Sequence, residues 1–283
     1  MYNDTIYLQE GILNTVLTVY IPDAFLEGQL LKPAVIICPG GAYLGITEKE
    51  GEPVALKFIS EGYAAFVLRY STGDMARFPA PFIDVAKAVL LVRTSAPKWK
   101  IDPDKICICG FSTGGHAAAA FCASWQEEFY KKLLGADNCL YKPNALILGY
   151  PLLNLKLFQL KNQENLEMKT LIEMMFIYTY GTTKPELSLL NKWNITNRIT
   201  SFMPPTFLWM TSEDSYLAVE DSLEFVKKLA MNKIAYELHV FEKGEHGFAL
   251  GGQSLANREK VRSFCNTDYW IQLAMNWLDA HAF

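Results

Sequence analysis

Three side chains in this sequence are spaced for nucleophilic chemistry, and Ser112 is the first. It lies in Gly110-Phe111-Ser112-Thr113-Gly114, directly after the apolar run Ile106-Cys107-Ile108-Cys109 and before the alanine-rich stretch Ala117–Ala120. The run reads as a short buried strand, and the alanines as a helix. A Gly-x-Ser-x-Gly turn between a strand and a helix holds its serine in strained backbone and lifts the hydroxyl clear of the chain. Gly110 and Gly114 fit because a Cβ two positions before or after the serine would clash with the strand or helix. The hydroxyl then stands at a helix N-terminus, where N–H groups favour negative charge. With Gly and Ser each at about 7% of residues, this pattern arises by chance roughly 0.1 times in such a chain, so its surroundings must carry the assignment.

A serine nucleophile needs a base, a group that orients the base, and donors for the oxyanion. His246 is the candidate base, set between glycines in Gly244-Glu245-His246-Gly247 after a strand-like run at Ala235–Phe241. Asp214 is the candidate acid, in Thr211-Ser212-Glu213-Asp214-Ser215 after the run Thr206–Met210. Glu213 is its rival, since one position decides which side chain faces the site; Asp221 falls within the next helix. His239 alternates within its strand and reads as core or surface. His116, just inside the helix after Ser112, reads as structural, and His281 lies in the terminal tail. The oxyanion donors are sought in Pro39-Gly40-Gly41-Ala42-Tyr43, where small residues let backbone N–H groups point inward. The amides of Gly41 and Ala42, with that of Thr113, are favoured. The choice among Gly40, Gly41 and Ala42 stays open. Tyr43 and Tyr216, beside the oxyanion stretch and the acid, are expected to contact substrate.

The elements that position these residues alternate. Val16–Ile21 reads as a strand with a hairpin partner near Ile6–Leu8. Gly28–Pro33 is a connection. Ala34–Cys38 and Ala64–Tyr70 are continuous apolar runs, as strands buried on both faces require. Residues 50–61 read as a helix ending at Gly62, and a second helix opens near Phe78-Pro79-Ala80-Pro81 and runs to about Ala96. Ile101-Asp102-Pro103-Asp104 reads as a turn feeding the strand before Ser112. Ala145–Gly149 is a further strand. Residues 152–203 then break the rhythm, with a helical pattern at Leu166–Tyr180 and a less regular stretch at Pro185–Ile199. The helix Val219–Met231 and a closing helix at Tyr269–Ala280 complete the chain. Such alternation predicts an α/β fold: a mostly parallel central sheet, antiparallel at its first strands, with helices on both faces. Functional residues then gather after the carboxyl ends of strands, where Ser112, Asp214, His246 and the Gly-Gly stretch all fall.

Composition narrows the partners. The 283 residues are 51% hydrophobic and 20% charged, enough for a sizeable core, and suit a single domain over residues 1–283. A net charge of −4 with no basic stripe argues against a nucleic-acid partner, and no polybasic segment suggests a membrane surface. The first residues lack the basic and apolar regions of a signal peptide, and no apolar run is long enough to span a bilayer, so a cytoplasmic location is expected. The six cysteines (Cys38, Cys107, Cys109, Cys122, Cys139 and Cys265) sit mostly in apolar stretches and read as reduced and structural. With four histidines and no Cys/His cluster, no metal and no other cofactor is expected.

The chain order Ser112, Asp214, His246 is that of α/β-hydrolases. The stretches CPGGAY, KEGEPVALKF (Lys49–Phe58), GYAAFVLRYS (Gly62–Ser71), RFPAPFIDVAKAV (Arg77–Val89), IDPDKICICGFSTGGH and ELHVFEKGEHGF resemble bacterial α/β-hydrolases of the acetylxylan-esterase-like and carboxylesterase-like kind. The resemblance runs in register over most of the chain and is weakest in 152–203 and at the N-terminus. It implies the α/β-hydrolase fold, Ser112 as nucleophile, Asp214 as acid, His246 as base and the PGGA stretch as oxyanion hole. Three departures stand out. Thr113 replaces a frequent Ala, Pro39 replaces the His of related lipases and esterases, and Ser215-Tyr216-Leu217-Ala218 replaces a Pro-containing stretch.

The expected activity is a serine esterase acting on short-chain acyl esters, with O-acetyl groups on carbohydrates as the leading class. The substrate is then a small-molecule ester. The alternatives are a serine peptidase or amidase of the same fold, or a non-catalytic ligand-binding relative. The insertion at about 152–203 is expected to form a small helical lid. Its Met174, Met175, Phe176, Tyr178, Tyr180 and Trp193 would line an acyl or sugar pocket, cover the lid's own core, or form a homo-oligomer contact.

Overall fold

The computed structural model describes residues 1–8, 15–23, 31–251 and 267–283. Its strands are β1 (Tyr2–Tyr7), β2 (Val16–Ile21), β3 (Lys32–Cys38), β4 (Ala64–Arg69), β5 (Ile101–Phe111), β6 (Ala145–Gly149), β7 (Thr206–Thr211) and β8 (Tyr236–Phe241). They form one sheet in the order β1-β2-β4-β3-β5-β6-β7-β8. β1 and β2 pair antiparallel, as do β2 and β4, and the remaining neighbours are parallel. The apolar runs at β3, β4, β5 and β6 are the inner strands, where both faces are covered and no residue has to alternate toward water.

The helices are α1 (Glu52–Ser60), α2 (Ala80–Thr94), α3 (Ala96–Trp99), α4 (Ser112–Cys122), α5 (Glu128–Leu134), α6 (Leu155–Lys161), α7 (Leu166–Tyr180), α8 (Leu187–Lys192), α9 (Val219–Met231) and α10 (Trp270–Ala280). Alternate side chains of the inner strands feed two separate cores. On one face Ile36, Ile108 and Leu148 meet Val85 and Val89 of α2 and Ala118 of α4. On the other Ile37, Cys109 and Trp209 meet Phe58 of α1 and Trp270 of α10. Trp209 and Trp270 stack with ring centroids 5.0 Å apart, an aromatic pair that ties β7 to the closing helix.

Several expected boundaries shift. The stretch Ile101–Asp104, expected as a turn, belongs to β5: Ile101 pairs with Lys32 of β3, and a register irregularity precedes the pairing of Ala34 with Ile106. Pro103 has no N–H to donate, and an irregularity of this kind is where a sheet tolerates it. The helix expected to run to Ala96 ends at Thr94, with α3 following as a short separate turn. Of the expected Gly28–Pro33 connection, residues 28–30 lie outside the described residues, as does Cys265, whereas Lys32 and Pro33 already belong to β3, which pairs with the neighbouring strand. Cys38, Cys107, Cys109 and Cys122 are buried and unpaired, whereas Cys139 is exposed. Among the described residues no helix is long and apolar enough to cross a membrane.

Candidate active site

The site is built at the carboxyl ends of β3, β5, β6, β7 and β8. Ser112 directly follows β5 and begins α4 with φ of 49°, in the left-handed region that costs a residue with a Cβ. That bend is possible only because its neighbours are bare. A Cβ on Gly110 would lie 2.7 Å from the Gly114 oxygen, and one on Gly114 would lie 2.0 Å from the Cys38 oxygen. The two glycines therefore let α4 start flush against the ends of β5 and β3.

The structure brings the three side chains singled out from the sequence into one hydrogen-bonded chain. Ser112 Oγ lies 2.9 Å from His246 Nε2, and His246 Nδ1 lies 2.8 Å from Asp214 Oδ2. The other oxygen of Asp214 accepts the backbone N–H groups of Tyr216 and Leu217, each at 2.8 Å. Burial by itself would push the Asp214 carboxyl up. The hydrogen bond and charge of His246, with the two backbone donors, outweigh it and leave the carboxyl below its ordinary range. An ionised Asp214 accepts at Nδ1, which directs the Nε2 lone pair of His246 at the Ser112 hydroxyl. Glu213 turns to solvent and pairs with Lys243. His116 is buried, with its ring between the Tyr43 hydroxyl at 2.7 Å and the Trp193 carbonyl oxygen at 2.9 Å. Burial lowers it to about 4, so it is neutral, with Nε2–H donating to Trp193.

The loop after β3, where the oxyanion donors are expected, has an unusual backbone. Gly41, Ala42 and Tyr43 all have positive φ, at 138°, 55° and 60°. The turn is closed by Leu44 and Gly45 donating to the Gly41 oxygen at 3.0 and 3.2 Å. Among the described residues the N–H groups of Gly41, Ala42 and Thr113 meet no acceptor, and all three residues line the cavity beside Ser112. The choice left open in the sequence narrows, because the Gly40 N–H is occupied: it donates to Glu50 Oε2 at 2.6 Å.

Tyr43 does not contact the cavity, against the sequence expectation. Its left-handed backbone turns the ring inward, where it is fully buried beneath the loop and packs edge-on against Phe78 with centroids 5.1 Å apart. Tyr216 does line the cavity, with its ring 5.2 Å from that of His246. The cavity measures about 440 Å³. Leu152, Phe158, Met168, Leu171, Met175 and Leu217 form an apolar wall, and Thr47, Lys49 and Glu50 a polar one. Of the aromatic and Met residues expected from 152–203, Met175 reaches the cavity. Phe176 is buried in the core, Tyr178, Tyr180 and Trp193 pack against that core, and Met174 is exposed.

Three positions near the site escaped sequence reasoning. Glu50 is buried and holds the Gly40 N–H; Tyr150 donates its hydroxyl to Glu50 Oε1 at 2.7 Å. Lys161, at the end of α6, donates to the carbonyl oxygens of Asp214 and Leu217. Tyr150 sits just past the end of β6, a position that the strand-end rule could have flagged. Nothing local marks Glu50 or Lys161, which read as surface charges.

A mostly parallel sheet carrying a nucleophile elbow, with serine, acid and histidine in that chain order, defines an α/β-hydrolase. Comparison with known proteins places the chain within that class. The BD-FAE family model matches residues 17–229, and the chain belongs to that family. It is 28% identical over 262 residues to endo-1,4-beta-xylanase B of Butyrivibrio fibrisolvens, covering 90% of this chain and 38% of that protein. It is 25% identical over 223 residues to the acetylxylan esterase of Xylanibacter ruminicola, covering 77% of this chain and 41% of that protein. The chain thus spans well under half the length of these two relatives. The solved acetyl ester-xyloside bifunctional hydrolase of Caldicellulosiruptor lactoaceticus superposes with a TM-score of 0.80 at 30% identity, covering 99% of this chain and 97% of that one.

Proposed function

We propose that this protein is a serine esterase hydrolysing short-chain acyl esters, with O-acetyl esters of carbohydrates as its natural substrates. The observation that carries the reading is the hydrogen-bonded run from Ser112 through His246 to Asp214, with Ser112 and His246 lining the cavity. The names of two relatives, an acetylxylan esterase and an acetyl ester-xyloside hydrolase, support the substrate class.

In this reading His246 takes the Ser112 proton as the oxygen attacks the ester carbonyl. Asp214 holds the tautomer and stabilises the imidazolium. The N–H groups of Gly41, Ala42 and Thr113 receive the oxyanion. His246 then protonates the departing alcohol, and water hydrolyses the acyl-enzyme by the same route in reverse. The helices between β6 and β7 act as a lid whose Met168, Leu171 and Met175 wall the acyl side. The cavity is far larger than an acetyl group, which leaves room for a sugar alcohol. A cytoplasmic location belongs to the same reading and is supported by the unpaired buried cysteines.

The test is hydrolysis of p-nitrophenyl acetate, butyrate and octanoate, and of acetylated xylo-oligosaccharides, by wild type and Ser112→Ala. The expected result is fastest turnover of acetate, release of acetate from the sugar, and a loss of about 10⁴-fold or more in the variant. Cleavage of anilides in preference to esters would move the assignment to an amidase. An inert wild type would leave a ligand-binding relative.

A further inference from the structure

Glu50 is 2% exposed and lines the cavity. It lies between the oxyanion loop and the segment that carries His246. Its Oε2 accepts the Gly40 N–H at 2.6 Å, one residue before the expected oxyanion donors. Its Oε1 accepts the Tyr150 hydroxyl at 2.7 Å. The Tyr150 oxygen in turn accepts the Ala249 N–H at 3.0 Å, three residues after His246. The Tyr150 ring stands 5.1 Å from the His246 ring, edge to face. Tyr150 has φ of 35°, a conformation retained only where its surroundings hold it. Space around Glu50 is tight: a Cβ on Gly40 would lie 2.9 Å from Glu50 Oε2 and 2.9 Å from the Ser112 Cβ.

We propose that Glu50 is a positioning residue that ties the oxyanion loop to the His246 segment through Tyr150, fixing both against Ser112. This rests on the esterase reading of the site. Both carboxyl oxygens act as acceptors, Oε2 from the Gly40 N–H and Oε1 from the Tyr150 hydroxyl. That pattern suits the ionised form. Burial raises the Glu50 carboxyl above its ordinary range, against the opposing pull of Tyr150, Gly40, His246 and Lys49. A buried carboxylate held only by groups that shape the reacting site is costly as a structural filler. Its two hydrogen bonds set the relative placement of donor loop and base, and such placement decides whether a reacting geometry is reached.

The experiment measures two quantities for wild type, Glu50→Gln and Tyr150→Phe. These are the rate at which a fluorophosphonate labels Ser112, and the separate kcat and KM for p-nitrophenyl acetate. Thermal unfolding is followed alongside. The expected result for Glu50→Gln is labelling and kcat slower by about 10- to 100-fold, with KM within about twofold and cooperative unfolding retained. Tyr150→Phe, which keeps the ring and removes only the link, is expected to slow both by about tenfold. If Glu50→Gln does not fold, Tyr150→Phe decides the matter. Wild-type rates in a folded Glu50→Gln or Tyr150→Phe, or a change in KM alone, would overturn the proposal while leaving the esterase reading intact. A wild type that neither labels nor hydrolyses would overturn both.

Discussion

Asp214 and Glu213 are adjacent carboxylates with opposite fates. Asp214 is buried, receives two backbone N–H groups and faces His246; Glu213 points to solvent and pairs with Lys243. Strand-end position alone narrowed the acid to this pair, because successive residues leaving a strand point apart and only the backbone path decides which turns inward. The expected consequence is measurable. Asp214→Asn should lower kcat on p-nitrophenyl acetate by about 10⁴-fold, since an amide no longer selects the productive His246 tautomer. Glu213→Gln should change it by less than about twofold, as expected for an exposed pair. Comparable losses in the two variants would refute the assignment of roles. Tyr43 marks the limit of local reasoning: its neighbour Ala42 lines the cavity, yet the left-handed backbone at Tyr43 sends its ring into the core.

At the scale of elements, the elbow is legible because its glycines have a steric cause. A Cβ on Gly114 would be 2.0 Å from the Cys38 oxygen and 2.3 Å from the Pro39 oxygen, both backbone atoms that cannot rotate away. Gly114→Ala should therefore push α4 off β3, destabilise the protein by about 3 kcal/mol or more, and abolish esterase activity. Gly45, where an added Cβ meets nothing within 4 Å, is the control. Gly45→Ala should stay within about 0.5 kcal/mol of wild type in urea unfolding. Equal stability of the two variants would contradict the packing at the elbow. The helices Leu166–Tyr180 and Val219–Met231 have the bounds that the sequence pattern predicts. Gly181 closes the first with φ of 82°, as a left-handed glycine cap does. The turn expected at Ile101–Asp104 failed because pairing with Lys32 across the sheet overrode the local Asp-Pro signal.

For the whole molecule, two buried groups impose opposing dependences on pH. Burial pushes the Asp221 carboxyl up to about 7, against backbone hydrogen bonds from Asn154 and Leu153. Its contribution is greatest in acid, below the unfolded carboxyl value, and is lost as pH rises toward 7. His116, lowered by burial to about 4, behaves the opposite way. It stabilises above the unfolded imidazole value, and that contribution is lost as pH falls from about 6.5 toward 4. Each effect is on the order of 3 kcal/mol, so wild-type stability should be nearly flat between about pH 4.5 and 6.5 with respect to this pair. Urea unfolding across that range should show Asp221→Asn losing stability on acidification and His116→Gln gaining it. Parallel profiles for the two variants would refute the assignment. The sequence by itself determined the alternation of strands and helices, the elbow, and the strand ends that carry Ser112, Asp214 and His246. These follow from hydrophobic period, glycine sterics and chain order, all of which are local. The tertiary structure decided which carboxylate turned inward, that Gly40 gives its N–H to Glu50, and that Tyr150 and Lys161 brace the site from distant segments. Those outcomes depend on groups 10 to 100 residues apart meeting in a buried space, as Glu50 meets Gly40 and Tyr150. Side chains that read as ordinary surface charges acquire their roles only when folding removes the water that would otherwise satisfy them.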